Sequence, residues 1–325
     1  MKAFRFASAD EGLKLCDLPV PEPSEGFALI QIKAAGLCHS DTHVLHGGGE
    51  AWMCNLPITL GHEVSGVIVK LGDECSLFQV NDRVAVACVG HPIEERNFSE
   101  CLGVGVDGGY AEYAVAPFKY LVKLPDGVDF PEAAVATDSI ATAFHAVVTE
   151  GGVNKSNLSK VSTVAVIGLG GLGLNGVAIA ALSGAKIYGV DINTSKFDQA
   201  RRVGAFACAT SLSDFPGVTF DVILDFVGAQ KTLETAVSTV RDGGTVVLVG
   251  LASSHIQLPT ADIVTRNLAL KGSTSASIDE FVEVLELLSS KALTPQIREI
   301  PFEEVPSALE SLSQGEVTGR LYTRP

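Results

Sequence analysis

The stretch "VAVIGLGGLG", residues 164 to 173, limits what this chain can become more than any other. A β-branched apolar run ends at Ile167. Gly168, Gly170 and Gly173 follow in a GxGxxG spacing, with Gly171 and Leu172 inside it, where a small-residue helical pattern begins. The spacing alone is a weak signal. A second apolar run, "KIYGVD", closes on Asp191, and strand, tight turn, helix, strand and terminal acid together form a strong one, because each part has a task. The glycines let the backbone approach a pyrophosphate, and the helix N-terminus offers it free N–H groups and a partial positive charge. The Asp191 carboxylate can accept both ribose hydroxyls and would repel a 2′-phosphate, so the expected cofactor is NAD rather than NADP. On these residues alone, glycines that serve only tight packing remain the alternative.

Residues 161 to 185 are nearly uncharged and long enough to imitate a membrane span. The glycines crowding the middle favour strand, turn and buried helix instead, and no membrane partner is expected. The 325 residues suggest about two domains. A net charge of −15 disfavours nucleic acid as a partner. Seven cysteines, an odd number with no CxxC pair, argue against a disulfide framework and for a reducing compartment. The N-terminal "MKAFRFASADEGLKL" has no apolar stretch of signal-peptide length, so a cytoplasmic location is expected.

The texture changes along the chain. Residues 1–140 carry short apolar or alternating runs, "FALIQIKAA", "VSGVIVKLG" and "DRVAVACVG", between Pro, Gly and Asp punctuation, and read as β-rich. Beyond them a helical "DSIATAFHAVVTEGG" leads into the strands "TVAVIG", "KIYGVD", "VILDFVG" and "GTVVLVG" with helical stretches between, the signature of an α/β fold with a doubly wound parallel sheet. The last 50 or so residues hold a helix, "IDEFVEVLELLSSKA", and no further βα series. Composition leaves open whether they form an appendage or return to the first domain.

"GLCHSDTH", residues 36 to 43, places Cys38, His39, Ser40, Asp41 and His43 in one short run after a strand. Catalytic zinc usually takes three protein ligands and leaves a fourth position open. Cys38 and His62, the latter in "TLGHEVSG", make the natural first pair. Taken singly, a small core cysteine and a satisfied histidine explain them as well.

"GLCHSDTH", "GHEVSG", "DGGYAEY", "GLGGLG" and "GEVTGR" occur in the order and approximate spacing of the medium-chain, zinc-dependent alcohol dehydrogenase family, which the chain resembles over essentially its whole length. The resemblance implies a β-rich GroES-like catalytic domain at 1–140, an NAD-binding Rossmann domain at 141–273, and a segment at 274–325 that completes the catalytic domain. It implies that Cys38 and His62 bind zinc, that Ser40 hydrogen-bonds the alcohol and passes on its proton, and that His43 is the outer histidine of that relay. Asp41 matches the carboxylate that orients the histidine ligand, and Glu63 the acidic neighbour of the metal. His39, Thr142, Leu172, Lys196 and Arg320 fall at cofactor-contacting positions, although His43 and Arg320 could also be solvated surface groups.

Two departures follow. Members with a structural zinc carry four closely spaced cysteines where this chain has only Cys88 and Cys101, so one catalytic zinc and no structural zinc are expected. Many members also have a cysteine where Asp138 stands, four residues before Thr142. Asp138 could simply cap a helix beginning at Ser139. A carboxylate is nevertheless an acceptable ligand, and thiolate, carboxylate and neutral imidazole balance the two charges of zinc. Some members that use Asp here prefer NADP, which Asp191 argues against. The implied reaction is hydride transfer between NAD and an alcohol or its aldehyde or ketone, in a dimer or tetramer. A zinc-free NAD(P)H reductase of the same superfamily and a silent dinucleotide-binding protein are the rivals. Trp52, Met53 and Cys54 could line the substrate pocket, fill a core or meet another subunit.

Overall fold

The alternation in "FALIQIKAAGL" becomes the strand Phe27–Leu37, which buries Ala28, Ile30, Ile32 and Ala34 while Gln31 and Lys33 stay half-buried. In the computed structural model, which describes residues 1–48, 55–72, 77–157, 159 and 162–325, this strand organises the first of two compact units. That unit comprises Met1–Ala141 and Ala276–Pro325, and the second comprises Thr142–Ser275. Trp52, Met53 and Cys54 lie outside the described residues.

In the first unit a seven-stranded sheet runs in the order Ile297–Ile300, Arg320–Thr323, Phe27–Leu37, Glu63–Leu71, Arg83–Val86 and Leu121–Lys123, with Tyr113–Pro117 also paired to Phe27–Leu37. A three-stranded sheet of Leu13–Asp17, Lys2–Phe6 and Ile58–Thr59 stands beside it in the same unit. Phe4, Ile30, Ile68, Tyr110 and Leu321 belong to their common core. Phe27–Leu37 and Glu63–Leu71 are antiparallel, with Gly36 opposite Glu63 on one side and Tyr322 on the other. Position 36 needs glycine, because a Cβ there would strike the Glu63 side chain.

The C-terminal residues correct one expectation. After the helix Ile278–Ser289, whose first turn Ser277 caps by accepting from the Glu280 N–H at 3.2 Å, the chain forms a small β–α–β unit. Ile297–Ile300 and Arg320–Thr323 are parallel, joined through the helix Val305–Ser313. Strands of four residues are too short to show a period in the sequence, which is why this βα series was missed.

The second unit is a six-stranded parallel sheet in the order Ala205–Ala209, Lys186–Val190, Thr163–Ile167, Phe220–Asp225, Val240–Leu248 and Ala269–Gly272. Strand order reverses direction between Thr163–Ile167 and Phe220–Asp225, and such switch points are where doubly wound sheets bind ligands, beyond the strands' carboxyl ends. Val164 to Ile167 are all buried, as expected of an interior strand covered on both faces. The apolar segment that imitated a membrane span divides into Thr163–Ile167 and the helix Gly171–Ser183. Among the described residues, no helix is long and apolar enough to cross a membrane.

Leu321, 2 % exposed in the returning strand, tests the integration of the C-terminal segment. Leu321→Ala should cost about 2–5 kcal/mol in a denaturant titration followed by circular dichroism. A loosely attached tail would lose no more than roughly 0.5 kcal/mol.

Candidate metal centre and cofactor site

Cys38 follows the strand Phe27–Leu37 and stands at the N-cap of the helix His39–Leu45. His62 immediately precedes the paired strand Glu63–Leu71, so the antiparallel register carries the two side chains to the same end of the sheet. The third contributor comes from a helical stretch that begins at Phe130 and continues through the segments Ala136–Ile140 and Ala141–Phe144. Asp138 lies inside Ala136–Ile140, a wider π-helical turn, where the backbone carries one extra residue. It therefore starts no helix. Asp129 is the N-cap of that stretch, paired in a capping box with Glu132, which removes the reading of Asp138 as a cap at Ser139.

One donor atom each from Cys38, His62, Glu63 and Asp138 lies within 4.8 Å of all the others. The Cys38 Sγ is 3.3 Å from Asp138 Oδ2, and His62 Nε2 is 3.6 Å from the same oxygen. A tetrahedral ion with bonds of about 2.0–2.3 Å holds its ligand atoms roughly 3.3–3.7 Å apart, so these separations suit zinc. The donor chemistry suits it as well: one sulfur, one imidazole nitrogen and one carboxylate oxygen. Glu63 is fully buried, and only its Oε1 is engaged, by Arg320; its Oε2 has no hydrogen-bond partner.

Several ionisable groups crowd this place. Burial alone would lower the His62 pKa, but the charge of Asp41 and hydrogen bonds to Asp138, Asp41 and Cys38 outweigh it and push the pKa well above the usual imidazole range. Without a metal ion, His62 accordingly favours a proton. Burial raises the Glu63 pKa, against the opposing pull of Arg320. Arg320, 5 % exposed, is held charged by Glu63 despite its burial. It is no solvated surface group, and the partner found for it is Glu63.

Asp41, 2 % exposed, sets the orientation of His62: its Oδ1 is 3.4 Å from His62 Nδ1. Such a contact fixes the tautomer and leaves Nε2 free to ligate. Ser40 Oγ lies 3.3 Å from that Nε2, so the hydroxyl sits beside the donor group. His43 is exposed, and its ring centroid is 5.6 Å from that of His39, also exposed. Cys88 donates its S–H to the His62 carbonyl at 3.0 Å, and Cys101 donates to the Asn97 carbonyl at 3.4 Å.

In the second unit, Gly168 has φ +87°, and its N–H donates to Val190 O at 2.8 Å. Gly170 is the N-cap of Gly171–Ser183, and Leu172 and Gly173 sit in its first turn, where backbone N–H groups lack intrahelical partners. Open space faces Gly170, whereas a Cβ on Gly173 would collide with the Gly168 carbonyl oxygen. The turn is thus a cradle of free N–H groups, suited to a pyrophosphate. Asp191 directly follows the neighbouring strand Lys186–Val190 and accepts from Leu169 N–H at 2.7 Å, from Asn193 N–H at 2.8 Å and from Lys196 Nζ at 3.1 Å. These donors fix the carboxylate at the mouth of the cradle and leave it lone pairs for ribose hydroxyls. Thr142 is buried in Ala141–Phe144.

Two partners were not legible in the sequence. Tyr110 donates to Asp41 Oδ2 at 2.6 Å across 69 residues of chain, and the pairing of Arg320 with Glu63 spans 257. The only trace of the first was that Tyr110 falls within "DGGYAEY".

A glycine turn suited to a dinucleotide in the second unit and a candidate metal site in the first are the features of the metal-dependent, dinucleotide-linked dehydrogenases. Residues 24–126 match the family model of the alcohol dehydrogenase GroES-like domain, and residues 171–290 that of the zinc-binding dehydrogenase. An NAD-dependent alcohol dehydrogenase of Sulfurisphaera tokodaii is 33% identical, with 100% of both chains covered. Acetophenone reductase from Geotrichum candidum, solved with NAD, superposes with a TM-score of 0.87 at 30% identity, covering 100% of this chain and 97% of that one. The alcohol dehydrogenase of Aeropyrum pernix gives a TM-score of 0.88 at 25% identity, with 100% of both chains covered. The chain belongs to the medium-chain, zinc-dependent alcohol dehydrogenase family.

Gly173→Ala tests the cradle. The added methyl meets a backbone oxygen that cannot swing aside, so NAD affinity measured by calorimetry should fall by at least about tenfold, or 1.4 kcal/mol. Unchanged affinity would mean that the cofactor does not rest on this turn.

Proposed function

We propose that this protein is an NAD-linked alcohol dehydrogenase that interconverts an alcohol and its aldehyde or ketone, with one zinc held by Cys38, His62 and Asp138. The approach of the Cys38 sulfur and the His62 Nε2 to Asp138 Oδ2, at 3.3 and 3.6 Å, carries the reading. When bound there, zinc supplies a Lewis acid that acidifies a substrate hydroxyl and polarises a carbonyl, and NAD supplies the hydride acceptor. The substrate is a small molecule. A zinc-free reductase has no use for a sulfur, an imidazole and a carboxylate gathered in one buried place.

The chain's own groups manage the proton. Ser40 Oγ accepts it from the substrate hydroxyl and gives up its own, as a hydroxyl that both donates and accepts can do. His43, three residues further on the same helix and exposed, is the outlet to solvent. Asp41 keeps His62 in the ligating tautomer, and Glu63, tied to Arg320, adds negative charge beside the metal. The glycine turn, with Leu172, receives the pyrophosphate; Asp191 with Lys196 receives the ribose, and Asp191 selects NAD over NADP. His39 and Thr142 provide further cofactor contacts. The odd number of cysteines, seven with no CxxC pair, supports a cytoplasmic location. The edge strand Ala269–Gly272, exposed over its last three residues, and the helix before it, Thr260–Thr265, with Val264 75 % exposed, support assembly into a dimer or tetramer.

A panel of primary, secondary, cyclic and aromatic alcohols, run with NAD and with NADP beside elemental analysis of dialysed protein, tests the proposal. One zinc per chain and faster turnover with NAD are expected; no turnover with any alcohol would defeat it. Asp138→Ala and Asp138→Ser should both lose zinc and activity together. Full zinc occupancy in Asp138→Ser would remove Asp138 from the ligand set.

His43→Gln should slow alcohol oxidation by about a hundredfold near pH 7, the lower end of what a general base contributes. The deficit should shrink towards pH 10, where hydroxide can take the proton. A pH–rate profile lowered evenly at every pH would rule out the relay.

A further inference from the structure

We infer that Tyr110 is a positioning residue for the metal centre: its hydroxyl holds the Asp41 carboxylate in the orientation that makes His62 a ligand. The inference deepens the zinc reading above and rests on it. Tyr110 is fully buried, its ring packed against Gly61 and in the core of the first unit. Its backbone is pinned on both sides, by Tyr110 N–H to Leu60 O at 3.0 Å and by Phe4 N–H to Tyr110 O at 2.8 Å. The hydroxyl is therefore delivered to a fixed place.

A phenol has one proton to donate, and two acceptors are near. Asp41 Oδ2 is 2.6 Å away and the Gly36 carbonyl 3.3 Å. The shorter bond, to a carboxylate oxygen, is the stronger. Asp41 Oδ2 also receives the Cys38 N–H, but at a long 3.3 Å. Tyr110 is thus the chief anchor of one carboxylate oxygen, which leaves the other, Oδ1, facing His62 Nδ1 at 3.4 Å. The chain of contacts runs from Tyr110 through Asp41 and His62 to the metal position. Burial and the nearby carboxylate keep the phenol protonated, so it remains a donor throughout the working pH range. A phenylalanine would fill the same core volume. What the hydroxyl adds is direction: a carboxylate without it can rotate towards the Cys38 N–H and release the imidazole.

The test measures zinc affinity directly, by titrating zinc-loaded protein with a chromophoric chelator, alongside the thermal midpoint of each protein. Tyr110→Phe should bind zinc about 10- to 100-fold more weakly than wild type, the usual cost of losing a partner behind a metal ligand. Replacing Tyr110 with 4-aminophenylalanine, which restores a donor at the same point, should recover most of the loss. Asp41→Ala should weaken binding at least as much, and adding Tyr110→Phe to it should change affinity no further, since there is then no carboxylate to hold. Wild-type zinc affinity in Tyr110→Phe, or losses that multiply in full in the double variant, would overturn the inference while leaving the zinc reading intact. Loss of the fold in Tyr110→Phe would overturn it too, by making the hydroxyl structural. Wild-type protein that takes up no zinc would defeat the zinc reading itself, and this inference with it.

Discussion

The pairing of Phe27–Leu37 with Glu63–Leu71 is the constraint on which the metal centre depends. Gly36 faces Glu63 in that register, so the residues just outside it, Cys38 at the end of one strand and His62 at the start of the other, emerge side by side. A slip of one residue would turn one strand's side chains to the opposite face and separate sulfur from imidazole. The core defends the register: Ala28, Ile30 and Ile32 on one strand and Val64 and Ile68 on the other are buried, and a slip would expose them. Apolar packing far from any chemistry thereby fixes where the chemistry stands.

Charge is arranged around that fixed point in a way that packing alone would not produce. Glu63, Asp41 and Asp138 gather near one buried place, and among the described residues Arg320 offsets them with a permanent positive charge. A buried ion pair such as Glu63 with Arg320 does not by itself add much stability, since desolvation consumes most of the attraction. Removing one partner would strand the other. Arg320 arrives on the returning strand Arg320–Thr323, which pairs with Phe27–Leu37, so the C-terminal residues supply the countercharge as well as an added strand. The excess of carboxylates over cations is what a divalent ion would neutralise.

Most of the fold was legible because its signals are local. Apolar runs between glycine turns gave the parallel strands, and Gly168, Gly173 and Asp191 each have a backbone reason to be what they are. Cys38, His62 and Asp138 were proposed together through the family's motifs, not through periodicity, because the side chains that the structure brings together lie up to 100 positions apart. Asp138 was ambiguous for a related reason. A lone acid before "SIATAF" reads as a cap, and only the earlier start of the helical stretch at Phe130, with its own cap at Asp129, excludes that. The β–α–β unit at the C-terminus and the bond from Tyr110 to Asp41 were hidden, the first by strands too short to show a pattern and the second by sequence distance.

The π-helical segment Ala136–Ile140 connects these observations. A regular α-helix through these residues would satisfy each N–H four residues back and step each side chain by 100°. The inserted residue changes that step, and two hydroxyls bond back to the backbone beside it: Thr137 Oγ1 donates to Ala134 O at 2.7 Å and Ser139 Oγ to Val135 O at 2.8 Å. Asp138, between these two hydroxyl residues, keeps its carboxylate for Cys38 and His62. π-Helical turns cost stability relative to regular helix and recur at functional sites. This one sits where Asp138 meets Cys38 and His62, which flank two separate strands, so the local irregularity and the donor geometry have a single explanation: the helix yields its ideal winding to bring one carboxylate to a place that strand register has already fixed for the sulfur and the imidazole.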